Sequence, residues 1–219
     1  MGNPEATSCQ TEIRMEIELP KKNVPPGKLK IAAALRVLLA EKEFGAITTA
    51  EIARTAGVTE ALIYKYYRDK RDLLHQVLGK YLEHLIYKAE TDVKGIKGAL
   101  NKLRKIIWSH VTMYANDRVF ARILLLEVRN YPDYFKSDAY KAVRRYSNII
   151  LSIIEEGVRN GEIRQDVPPE LIRQVLLGAV EHACLPAVIF NGEIIPDDLT
   201  DGLCELIFSG LSPRKPIVN

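Results

Sequence analysis

Apolar residues recur at the helical period along almost the whole chain from Lys28 onward. The second half contains no run that alternates at the period of two marking a half-buried strand. This pattern limits the fold to packed helices. Ile31, Leu35, Leu38 and Leu39 share one face of a first helix, with Lys28, Lys30, Arg36 and Lys42 elsewhere, and Gly45 is expected to stop it. Thr48-Thr49-Ala50-Glu51 is a capping box, in which the Thr48 hydroxyl accepts the Glu51 N–H and the Glu51 carboxylate reaches back. It opens a short second helix that carries Ile52, Ala53 and Ala56. Gly57-Val58 breaks that helix, and Thr59 is an N-cap for a third, from Glu60 to about Tyr66. Asp69 caps a fourth, whose apolar face runs from Leu73 to Leu85 and which extends to about Ala89. Further helices are expected at about 95–115, 117–130, 138–160, 168–190 and 197–210. They are punctuated by Pro132, Gly161, Pro168-Pro169, Asn191-Gly192 and Pro196, and Gly157 slightly weakens one of them.

Residues 1–27 read as a flexible extension. Ile13, Met15, Ile17 and Leu19 alternate with charged residues, but the run is short and isolated, and Pro20, Pro25, Pro26 and Gly27 close it. The last residues, 213–219, read as a tail. The expected architecture is all-α, with a helix-turn-helix head over 28–72 and a larger helical body over 73–212.

Charge separates the same regions. Residues 1–20 hold one basic and four acidic residues, a net −3. Residues 21–71 hold eleven basic and five acidic, a net +6, and residues 72–219 hold nineteen of each. The whole positive excess therefore sits on the head. Charge alone leaves two readings open, a solvated face or a surface that binds a polyanion. Disorder as the dominant state is excluded, because 47% of residues are hydrophobic and the net charge is only +3. The longest apolar run, Ile31 to Leu39, is broken by Arg36, so no membrane span is expected. Glu12, Arg14, Glu16 and Glu18 interrupt any apolar core of a secretory signal. Cys9, Cys184 and Cys204 form no CxxC and are odd in number, which fits the reducing cytoplasm.

Two short helices joined by a tight Gly turn and packed on a longer one form a helix-turn-helix. The turn is Ala56-Gly57-Val58, and the second short helix carries Tyr64, Lys65 and Tyr66 as groups that can face a groove. Over residues 28–78 the chain resembles the TetR family of bacterial transcriptional regulators. The resemblance is carried by Phe44-Gly45, Thr48-Thr49, Glu51-Ile52-Ala53, Ala56-Gly57-Val58-Thr59, Ile63-Tyr64-Lys65-Tyr66-Tyr67, Asp69-Lys70 and Asp72-Leu73-Leu74, together with the first helix.

The resemblance implies roles in binding a DNA operator. Thr48 or Thr49 is the phosphate-contacting hydroxyl, Thr59 caps the recognition helix, and Glu60, Ala61 and Leu62 face the major groove. Tyr64 is the aromatic contact with Lys65 and Tyr66 beside it, and Lys70 is a phosphate contact. Arg54 is a candidate phosphate contact, whereas Tyr67 and Ile63 are read as core. Ala61-Leu62 replaces the Gly-Thr frequent in the family, so Leu62 is free to touch a thymine methyl. Glu60 either accepts from cytosine N4 or simply suits a helix N-terminus, the second being favoured.

For the body the resemblance implies a homodimer and a small-molecule effector. Two heads spaced by about one turn of DNA, roughly 34–36 Å, fit a palindrome. The last two long helices are the expected seam, with Leu176, Leu177, Val180, Leu206 and Ile207. Trp108, His110, Tyr114, Leu124, Leu125, Tyr146 and Ile150 are the candidate effector pocket, each also compatible with plain core. The stretch Glu155 to Arg164, with Asp166 and Pro168, is similar to fatty-acid-type members and suggests a lipophilic, acyl-like effector. The expected mechanism is a repressor released by ligand, with the fourth helix as the lever.

An enzyme is the rival class. His75, His84, His110 and His182 show no zinc spacing, and no GxGxxG, P-loop or GxSxG is present. Glu181, His182 and Cys184 read as ordinary core and interface residues. No metal and no cofactor are expected.

Overall fold

A computed structural model describes residues 24–212. The alternating run at 13–19 and the tail at 213–219 lie outside the described residues. Within them the chain is helical, with no strand. Helix α1 spans Pro26–Glu41, α2 Thr49–Ala56, α3 Glu60–Tyr66 and α4 Lys70–Asp92. Helices α5 (Ala99–Asn116), α6 (Arg118–Arg122), α7 (Asp138–Arg159), α8 (Pro169–Phe190) and α9 (Pro196–Leu211) follow.

The caps predicted at Thr48 and Asp69 make their bonds. The Thr48 hydroxyl accepts the Glu51 N–H at 3.2 Å, and the Glu51 carboxylate accepts the Thr48 N–H at 2.9 Å. Lys42, donating at 2.8 Å, is the largest of the influences that hold the Glu51 carboxyl down at about 2, ahead of the Thr48 backbone and hydroxyl. Asp69 accepts from the Asp72 N–H at 2.8 Å. Gly57 sits at φ +64°, which few side chains tolerate, and so makes the sharp turn between α2 and α3.

Three boundaries differ from the periodicity. Helix α1 ends at Glu41 rather than near Gly45, because the chain then turns to bury Phe44 in a short 3-10 turn, Phe44–Ala46. Helix α5 starts at Ala99 rather than 95, since Gly95 and Gly98 both adopt positive φ. The Glu162 carboxylate, in the turn just after α7, accepts the Ala99 N–H at 2.8 Å. The expected helix over 117–130 breaks after α6 into a π-helical turn, Ile123–Glu127, and a 3-10 turn, Val128–Asn130. Gly157 is needed where it stands, since a Cβ there would lie 2.6–2.7 Å from Ile163 and Ala99.

One continuous apolar core joins head and body. Ile31, Leu35, Ile52, Ile63 and Leu73 fill the head, and Leu103, Ile107, Ile150, Ile154, Leu176 and Val180 fill the body. Helix α4 belongs to both, touching α1 in the head and packing along α7 in the body. Two arginines fasten the head to the body: Arg36 of α1 to Asp117 at 2.9 Å, and Arg122, which donates to the Leu39 carbonyl at 2.8 Å.

Helix α8 is the one described helix long and apolar enough to cross a membrane, with mean hydropathy 1.3 over an 18-residue window. Arg173, Glu181 and His182 interrupt it, so no unbroken apolar run marks it in the sequence. Its apolar residues lie on two faces. Ile172, Leu176, Val180, Cys184 and Val188 are buried in the protomer, while Leu171, Val175, Ile189 and Phe190 are exposed.

Candidate DNA interface and effector cavity

Helix α3 presents its N-terminus and one polar face to solvent. Thr59, Glu60, Ala61, Tyr64 and Lys65 are exposed, as is Arg54 on α2. Thr59 caps α3 by position, yet its hydroxyl makes no capping bond. Thr49, at the start of α2, donates to Glu60 at 2.9 Å and lies 3.3 Å from the Tyr64 hydroxyl. Glu60 therefore braces the two helices against each other, a role the sequence did not suggest for it.

Three of the residues expected to contact DNA are engaged within the head itself. The Lys70 ammonium donates to the Phe44 carbonyl at 2.8 Å and the Ile47 carbonyl at 2.5 Å, with Gly45 at 3.5 Å and the Phe44 ring beneath it. All three of its protons are directed at the head's own backbone, so it holds the 3-10 turn in place rather than standing ready for phosphate. Burial pushes its pKa down. Leu62 packs against Gly27 and the α1 start instead of standing free for a thymine methyl. Tyr66 is half-buried, with its ring at an edge to Tyr67, 6.4 Å between centroids. Tyr67 is core as expected, and burial pushes its hydroxyl up to about 12.

In the body, α4, α5, α7 and α8 enclose a cavity of about 410 Å³. Trp108, His110, Tyr114, Leu124 and Tyr146 line it, as the sequence suggested. Leu125 and Ile150 do not, because Ile150 points into the packed core and Leu125 rests against its edge. Leu177, expected at a dimer seam, lines the cavity instead. Sequence reasoning missed Tyr81, Leu82 and Ala89 of α4, whose apolar period reads as core, and Thr112, Arg129 and Glu181.

The walls are mostly apolar, with a few polar groups. The Tyr114 and Thr112 hydroxyls are buried and have no hydrogen-bond partner among the described residues. Leaving such a donor unmet costs about 1–3 kcal/mol, so both are suited to an acceptor on a ligand. His110 lies between Tyr114 and Tyr146, with centroids at 4.8 and 5.5 Å. Burial lowers its pKa to about 4, so it is neutral near pH 7. Arg129 and Glu181 form a two-pronged ion pair at 2.9 and 2.7 Å. That pairing, ahead of burial, sets the upward shift of the Arg129 pKa. His84 and Lys88 also line the cavity.

Residues 31–77 match the model for bacterial regulatory proteins of the tetR family, and residues 78–208 match that for the YsiA-like protein C-terminal region. The chain belongs to the TetR family. It is a DNA-binding transcriptional regulator with a ligand-responsive helical body. It is 27% identical over 186 residues to the fatty acid metabolism regulator protein of Bacillus subtilis (strain 168), spanning 85% of this chain and 96% of that one. This TetR chain superposes on the crystal structure of FadR from Bacillus subtilis in complex with stearoyl-CoA with a TM-score of 0.77. That match has 27% identity and covers 84% of this chain and 98% of the other. The fatty acid degradation regulator FadR of Bacillus halodurans gives a TM-score of 0.78 at 22% identity, over 88% and 100% of the two chains.

The residues expected at a TetR dimer seam fall on different sides of α8 and α9. Leu176 and Val180 are corrected, because both are buried in the protomer's own core. Leu206 is 76% exposed and Ile207 is half-buried. The unpartnered apolar face of α8 and α9 is instead Leu171, Val175, Ile189, Phe190 and Leu206.

Proposed function

We propose that this protein is a dimeric repressor that leaves its operator on binding a long-chain acyl thioester. The observation that carries the effector class is the body cavity. It combines apolar walls, a volume suited to a single aliphatic chain, and two orphaned hydroxyl donors that a carbonyl oxygen would satisfy. The relative that holds stearoyl-CoA shares the fold over most of both chains. His84 and Lys88 are the basic groups of the lining that suit an anionic carrier.

For DNA, Thr48, Thr49, Arg54 and Thr59 reach phosphates, while Ala61, Tyr64 and Lys65 enter the major groove. Dimerisation through Val175, Phe190 and Leu206 places two such heads on a palindrome. The reading contains no catalytic step, and the protein acts in the compartment that holds its DNA. Titrating stearoyl-CoA, free CoA and stearate separately into a complex with the gene's own upstream duplex tests it, followed by fluorescence anisotropy at fixed salt. The thioester alone is expected to lower the anisotropy. No release by the thioester, or equal release by free CoA, overturns the effector class.

A further inference from the structure

A second cavity, about 210 Å³, lies where head meets body. Leu29, Ala32, Ala33, Arg36 and Leu39 of α1 form one wall, and Leu74, Val77 and Leu78 of α4 another. Val119, Phe120 and Ile123 add a third apolar wall, and Lys80 and Asp117 also line it. The linings of the two cavities have a single residue in common, Tyr81.

Tyr81 is held as a partition. Its ring stacks on Phe120 with centroids 3.8 Å apart. The Arg36 guanidinium stands 5.8 Å from the same ring and is tied to Asp117. The contact set is thus closed by a residue of the head.

The two cavities differ in what an occupant would touch. The larger is lined by no residue before Tyr81, so a ligand confined to it meets nothing of α1, α2 or α3. The smaller has α1 as a wall. A ligand shifts a conformational equilibrium only through contacts that differ between the two states, and an apolar tail beneath α1 makes such contacts. Volume adds a length criterion. At about 30 Å³ per methylene-sized group, a 410 Å³ cavity holds on the order of a dozen such groups. A longer chain needs more room, and the adjoining apolar space lies behind Tyr81.

We propose that Tyr81 is a door between the cavities and that the regulator measures chain length with it. Short acyl chains occupy the first cavity without disturbing the head. Chains long enough to displace the Tyr81 ring from Phe120 enter the second cavity, press on α1 beside the Arg36–Asp117 tie, and release DNA. This rests on the acyl-thioester reading of the first cavity.

The test uses the full chain and saturated acyl-CoAs from eight to twenty carbons. Binding is measured by calorimetry and operator release by anisotropy. In the wild type, binding is expected to strengthen smoothly with length while release appears as a step. Val77→Phe and Ala32→Leu each fill the second cavity from a different wall. Each is expected to leave the binding of chains of up to about twelve carbons within about threefold of wild type, and to weaken both binding and DNA release by the longest chains about tenfold. A crystal of the complex with a chain brominated at its far end should place the bromine among Val77, Ala32 and Phe120. The door is overturned if wild-type release follows occupancy at every length. It is also overturned if the filled variants keep the step, or if the bromine stays in the first cavity. If no acyl-CoA binds at all, the acyl-thioester reading itself falls, and that outcome is distinct from tight binding without a step.

Discussion

The head and the body carry their chemistry at different ranges of sequence. In the head, a site is made of neighbours: Thr48 with Glu51, Asp69 with Asp72, Gly57 between two short helices. In the body, the cavity draws Tyr81, His110, Tyr146 and Leu177 from four helices nearly a hundred residues apart. Local sites can be read from spacing. Distant ones depend on how helices rotate about their own axes when they pack.

The sharpest way to break this division is to attack the exposed face of α8. Val175→Asp puts a charge where a partner's apolar face is expected to lie, which costs about 3–5 kcal/mol if the charge is buried unpaired. Sedimentation velocity should show a monomer, and operator affinity should fall with it although no residue of the head has changed. A dimer that survives intact would move the seam elsewhere.

Next in size is the pH response of the body. His110 has a folded-state pKa near 4 against an ordinary value of about 6.5. Between those values the unfolded chain binds the extra proton and the folded one does not. The group's contribution is therefore complete above about pH 6.5 and is lost as pH falls toward 4, by up to about 3 kcal/mol. Denaturant titrations of the wild type and His110→Gln should converge in slope above pH 7 and diverge below 6. Parallel curves at all pH values would mean that water reaches His110 in solution.

Within the head, Lys70 tests whether a basic residue next to DNA must be a DNA contact. Lys70→Met leaves the Phe44 and Ile47 carbonyls without their donor, and a loss of about 1–2 kcal/mol is expected. Thermal unfolding should fall accordingly, whereas the salt dependence of DNA binding should barely change. A lowered salt slope with unchanged stability would restore the phosphate role. The smallest effect expected is that of Tyr114→Phe. Removing an orphaned buried hydroxyl should leave the free protein as stable or about 1 kcal/mol more stable, while acyl-thioester affinity falls by about fivefold. Chemical denaturation and calorimetry on the same preparation separate the two.

The two regions also differ in how far each was legible before folding. The capping box, the Gly57 turn and the core role of Tyr67 were all readable, because each is decided within a few residues. The contacts of Lys70 and Leu62 within the head were not readable, for the opposite reason. A residue of the right type in the right place was drawn away by partners 23 to 35 positions distant, Ile47 and Gly27. In the body, five of the seven proposed lining residues do line the cavity, four of them legible because an aromatic or histidine on a middle helix is conspicuous. The aliphatic lining of α4 was invisible, since a Leu facing a cavity and a Leu facing core have the same period.

By itself, the sequence determined that the chain is helical, where most helices begin and end, and that a compact basic head precedes a neutral body. These follow from periodicity, caps and charge, which are properties of near neighbours. The tertiary structure alone decided which apolar face of α8 is buried, that two hydroxyls are left unpartnered in a cavity, and that Tyr81 stands between two chambers. The physical reason is that burial belongs to pairs of surfaces. A helix carries two apolar faces equally well in sequence, and only packing against its neighbours chooses between them.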